Sequence, residues 1–137
     1  MVVACALAVG MAMFGLSSGW TAEQIEVRGL ACPDVSTVVP TNEADEETLR
    51  SVLPKIVPLQ YPDPSEYQDY EITSLQMAAA STAYGRMAAH LCGEEVARST
   101  WIVELHFPHL EPSASMSQGQ LFVAKTKLGW TAWFRYH

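Results

Sequence analysis

Basic residues are scarce in this chain: eight Lys and Arg stand against fifteen Asp and Glu, a formal charge of −7. A surface so short of cations repels phosphate backbones, which argues against nucleic acid as a partner. Cysteine is scarce too. There are three, with no C-x-x-C pair, so neither a zinc ribbon nor a thiol–disulfide exchange motif is present. The longest apolar run, residues 2–16, falls short of the roughly 20 residues that a membrane-spanning helix needs. Internal repeats and low-complexity tracts are missing, and no Gly-x-Ser-x-Gly turn surrounds Ser113, Ser115 or Ser117.

That apolar run, VVACALAVGMAMFGL, has the length of a signal-peptide core and is followed by the small residues Ser17, Ser18 and Gly19. No Lys or Arg precedes it. Residues 1–22 are therefore expected to be a signal peptide or N-terminal anchor, with a buried core helix as the remaining alternative. Cleavage would remove Cys5 and leave Cys32 and Cys92 as an even pair. Export to an oxidising compartment and a Cys32–Cys92 disulfide are one expectation reached from two directions. Its location would be secreted, periplasmic or cell-envelope, with membrane contact only through the N-terminal segment if that is retained.

Residues 23–137 are enough for a single disulfide-linked α+β domain with its own core. Their charge is uneven: residues 23–71 are strongly acidic, whereas the rest is nearly balanced. A basic protein suits the acidic half as a partner, and a solvated surface is the plainer reading.

Residues 24–28 alternate apolar and polar, as a half-buried strand does. Thr41 or Asn42 can cap a helix whose first turn is acidic and whose stripe is Leu49, Val52, Leu53 and Ile56. Pro54 predicts that this helix stops or kinks near Leu53, and the proline-rich residues 57–64 read as a linker. Ser65 opens an S-x-x-Q capping box, and apolar residues at spacings of three and four predict a long helix over 65–91, ended by Gly93. Gly85 inside it suggests a close backbone contact. Strands follow at 101–107, 120–127 and 130–136, with a tight hairpin at Leu128-Gly129.

The expected fold is thus a long helix packed on a small antiparallel sheet, a three-stranded C-terminal meander plus an N-terminal strand. Cystatin-like and NTF2-like rolls share that order, an analogy of fold that matches no motif and implies no function.

Two constellations carry candidate chemistry. On the last strand, Trp133, Arg135 and His137 would share a face opposite Trp130, Ala132, Phe134 and Tyr136. An indole beside a guanidinium and an imidazole suits a protein or carbohydrate partner. The competing reading buries Trp133 under another element. In ELHFPHL, Glu104, His106 and His109 offer three metal-type ligands, although Pro108 restricts how the histidines converge. The resulting expectation is an exported, non-enzymatic binding or accessory module, inhibitor-like in kind, without a cofactor. The alternative is an exported enzyme or metal-binding protein built on Glu104, His106 and His109.

Overall fold

The computed structural model describes residues 24–26, 29–113 and 115–137. The expected signal segment, like Val27 and Arg28, lies outside the described residues. Among them, four helices and one antiparallel sheet of strand order β1-β2-β3-β4 make an α+β architecture.

Asn42 opens the first helix. Its side chain accepts from the Ala44 N–H, and Asp45 Oδ2 accepts from the Asn42 N–H at 3.1 Å. A 3-10 turn at Glu43–Asp45 leads into α1 (Glu46–Gln60), whose buried stripe is Leu49, Val52, Leu53, Ile56 and Val57. The expected stop at Pro54 does not occur, because Pro54 and Pro58 both lie inside α1. Both prolines are exposed and one turn apart, so the carbonyls they leave unpaired fall on the solvent side. Each costs about 3 kcal/mol in a helix. Burying the five stripe residues, at roughly 1.5–3 kcal/mol apiece, outweighs that cost.

The expected helix over 65–91 is also corrected. Its place is taken by α2 (Pro64–Tyr67), β1 (Glu71–Met77) and α3 (Ala83–Cys92). Asp63, not Ser65, caps α2, accepting from the Ser65 N–H at 2.9 Å. β1 pairs with β2 through a bulge between Ile72 and Ser74. The bulge sets Ile72 opposite Leu105 and Leu75 opposite Val103, and both pack on the α1 side of the sheet. Two residues three apart thus share a face in a strand, imitating the helical period. Thr82 then caps α3, its hydroxyl accepting from the Gly85 N–H. A Cβ on Gly85 would lie 1.8 Å from the Ala79 carbonyl oxygen, so the expected close contact is real. Gly93, at φ 89°, ends α3, and the short α4 (Glu94–Arg98) follows.

β2 (Thr100–His106), β3 (Gln118–Thr126) and β4 (Gly129–Tyr136) form the expected meander. The sheet's fourth strand is β1, beside β2, and the described residues 24–26 of the expected N-terminal strand are not one of its strands. Ile25 makes only an isolated parallel bridge to Trp130. Gly129, at φ 127°, permits that approach, since a Cβ there would come within 2.7 Å of the Gln24 carbonyl oxygen.

Both faces of the sheet are used. Trp101, Val103, Leu105, Leu121, Val123 and Trp130 pack against α1, whereas Ile102, Phe122, Ala124 and Trp133 pack with Ala88 and Val96 of α3 and α4. The Cys32–Cys92 disulfide, with Cα atoms 5.5 Å apart, ties the chain ahead of α1 to the end of α3.

Asp45 ties α1 to the sheet. Lys125 Nζ donates to its Oδ1 at 2.8 Å, and Thr41 donates to its Oδ2 while accepting from the Trp101 indole. Burial pushes its carboxyl up, but the bonds from Lys125, Asn42 and Thr41 together hold it below the usual value of 3.8. A carboxyl depressed on folding adds stability above its unfolded pKa and loses it as pH falls through the folded value. In thermal melts, Asp45→Asn is therefore expected to fall furthest below wild type at neutral pH, with the gap closing in acid. A gap that stays constant to acid pH would contradict this role.

Candidate functional site

Where α1 ends, the chain turns back on itself through Pro62 and Pro64 and leaves an open cleft. Its volume is about 340 Å³, and Val57, Pro58, Tyr61, Pro62, Pro64, Tyr67 and Tyr70 form most of its wall. The size is at the low end for small-ligand pockets.

The wall is rigid for reasons that can be named. Tyr61 is 4 % exposed, and its ring meets Phe107 at 4.7 Å and Tyr67 at 5.1 Å between centroids. Its hydroxyl donates to the His137 carbonyl at 3.1 Å. Burial pushes the Tyr61 phenol up to about 12, so it stays a neutral donor at physiological pH. Gly119 makes room for it, because a Cβ there would lie 2.5 Å from the Tyr61 oxygen. Proline rings and braced tyrosines lose little side-chain entropy when a ligand binds, which favours a prepared surface.

The rim is acidic. Residues 57–70 contain Asp63, Glu66 and Asp69 and no Lys, Arg or His. Hydrogen bonds from the Ser65 hydroxyl and N–H hold the Asp63 carboxyl below its usual range, keeping it charged. Asp69 adopts a left-handed φ of 58°, and its Oδ2 lies 3.1 Å from His109 Nε2.

The residues singled out from sequence fall in three places. Trp133 is 2 % exposed within the second core, its indole edge-on to Phe122 and donating to Thr100 Oγ1. A bulge between Phe122 and Val123 explains the arrangement. Val123 faces Ala132 and Phe122 faces Phe134, so Trp133 is the extra residue and the alternation reverses after it. Phe134 and Tyr136 then join the α3 side, correcting the expectation that they share a face with Trp130 and Ala132. Arg135 turns toward Tyr61 and the end of α1 instead. Its guanidinium lies 4.9 Å from the Tyr61 ring centroid and donates to the Gln60 carbonyl. His137 holds the Tyr61 hydroxyl through its backbone. Arg135 and His137 thus brace one wall, and Trp133 belongs elsewhere.

Glu104, His106 and His109 do not converge. His106 Nδ1 lies 3.2 Å from Glu71 Oε2, while His109 is turned to Asp69. Among the described residues, no group of three His, Cys, Asp or Glu side chains is placed to hold a metal. Pro108 and the end of β2 separate the two histidines.

The tyrosines of the cleft were missed. The interleaving of Tyr61 with Pro58, Pro62 and Pro64 was the available signal, and its lack of periodicity made it read as a linker. Comparison with protein-family models, curated proteins and solved structures finds no match. The site stands on its geometry.

Proposed function

We propose that this chain is an exported, non-enzymatic binding module whose tyrosine–proline cleft holds an apolar segment flanked by cationic residues on a basic partner protein. The observation that carries the reading is the cleft itself: rigid aromatic and proline walls in a segment, residues 57–70, whose only charged side chains are acidic. Aromatic-lined grooves of this kind suit extended, proline-containing segments, which have little entropy left to lose. The acidic rim selects for Lys or Arg beside that segment and steers its approach. Export is supported by residues 1–22 together with the disulfide, since such bonds persist in oxidising compartments. Among the described residues, no helix is long and apolar enough to cross a membrane. The enzymatic reading is weaker because His106 and His109 face different partners, Glu71 and Asp69.

Selection from a random-peptide display library on the full chain tests the proposal. Enriched peptides are expected to combine proline or aliphatic residues with Lys or Arg. Glu66→Lys, at an exposed rim position, is expected to weaken the selected peptides about ten-fold at low salt while leaving melting unchanged. Enrichment of acidic peptides, or equal affinity for the charge-reversed protein, would overturn the reading.

A further inference from the structure

We propose a second binding site, on the opposite face of the sheet, for a neutral hydroxylated ligand of the sugar class. α3 and α4 cover Ile102, Phe122 and Ala124 on that face but leave its other half uncovered. The strand register sets Glu104 opposite Gln120, His106 opposite Gln118, and Gln120 opposite Tyr136. Together with Thr73, the first four of these side chains line a depression of about 300 Å³. A smaller recess of about 70 Å³, reaching Thr82 and Tyr84, shares Glu104 as a common wall.

The independent pointer to a ligand is Gln120. It is 7 % exposed, and its buried Oε1 has no hydrogen-bond partner among the described residues. Folding tolerates few such orphans, and a hydroxyl bound in the depression would supply the missing donor. The chemistry around it fits hydroxyls, which both donate and accept. The Glu104 carboxylate accepts, the Gln118 and Gln120 amides can do both, the Thr73 hydroxyl, which donates to the Glu104 carbonyl, can accept, and Glu71 fixes the His106 ring. No Lys or Arg lines the depression, and its one carboxylate, Glu104, disfavours an anion. Tyr136 is 41 % exposed, with the Tyr84 ring 6.4 Å away, and offers an aromatic face for the C–H side of a sugar ring. This site shares no residue with the tyrosine–proline cleft and does not depend on it.

The test is titration of ¹⁵N-labelled full chain with cellobiose, maltose and N,N′-diacetylchitobiose in turn, with glucuronate as the anionic counterpart. At least one neutral disaccharide is expected to give saturable shifts at residues 104, 106, 118 and 120, with a Kd of about 1 mM. Gln120→Met, which keeps the volume and removes the orphan acceptor, is expected to raise that Kd about ten-fold while melting at or above wild type. A purely structural glutamine would lower the melting temperature instead. The methyl glycoside of the sugar that binds distinguishes the two sources of such a ligand. Retained binding points to a glycan terminus and lost binding to a free reducing sugar, and either supports the site. No saturable shift with any of the three, tighter binding of glucuronate, or equal binding by Gln120→Met would overturn it.

Discussion

Trp133→Ala is expected to destabilise the protein by about 3–5 kcal/mol, the range for emptying a buried aromatic position. Melting should fall by roughly 10–20 °C for a chain of this size. The indole is 2 % exposed and edge-on to Phe122 at 5.3 Å, so truncation opens a cavity between the sheet and α3. Its N–H also donates to Thr100 Oγ1, whose own hydroxyl donates to the Val96 carbonyl of α4. Removing it therefore leaves a buried hydroxyl short of a donor as well. Thermal unfolding followed by circular dichroism measures the effect. A nearly unchanged melt accompanied by lost peptide binding would place the indole at the surface and contradict the β4 bulge.

Breaking the Cys32–Cys92 bridge has an effect of similar size. Cross-linking residues 60 apart in sequence removes chain entropy from the unfolded state, at about 4 kcal/mol. Cys32 is exposed and Cys92 half-buried, so replacing both with Ala sacrifices little packing. The reduced protein and the double-Ala variant are expected to melt together, roughly 15 °C below the oxidised form. The bond joins the segment ahead of α1 to the end of α3, so the reduced protein should also exchange amide hydrogens faster at residues 30–40. Coincident melts of all three forms would show that the bridge contributes nothing.

The meander, the disulfide and the capped turn that leads into α1 were legible because each follows a local rule that tertiary packing leaves intact. Alternation marks residues 101–107, an even cysteine pair marks the bridge, and Thr41 or Asn42 ahead of an acidic turn marks the helix start. Two bulges account for much of what was not legible. Thr73 in β1 gives Ile72 and Leu75 helical spacing, and Trp133 in β4 reverses the face of every residue after it. An extra residue in a strand leaves no chemical mark in the chain, yet it changes which side chains meet. Pro54 misled for another reason. A proline rule is a local cost, and the stripe from Leu49 to Val57 overrides it. The cleft was hidden because Tyr61, Tyr67 and Tyr70 come together only once α1 passes both prolines and β1 folds back. Arg135 and His137 contact Tyr61, one of the cleft's wall residues, although the facing that suggested them was wrong.

Chemical-shift mapping of the full chain with a display-selected peptide, at low and at physiological salt, tests the central claim most directly. The expected result is shifts confined to residues 57–70 and Arg135, with affinity falling as salt rises. Shifts centred on β1 or on α3 and α4, with residues 57–70 unmoved, would contradict it.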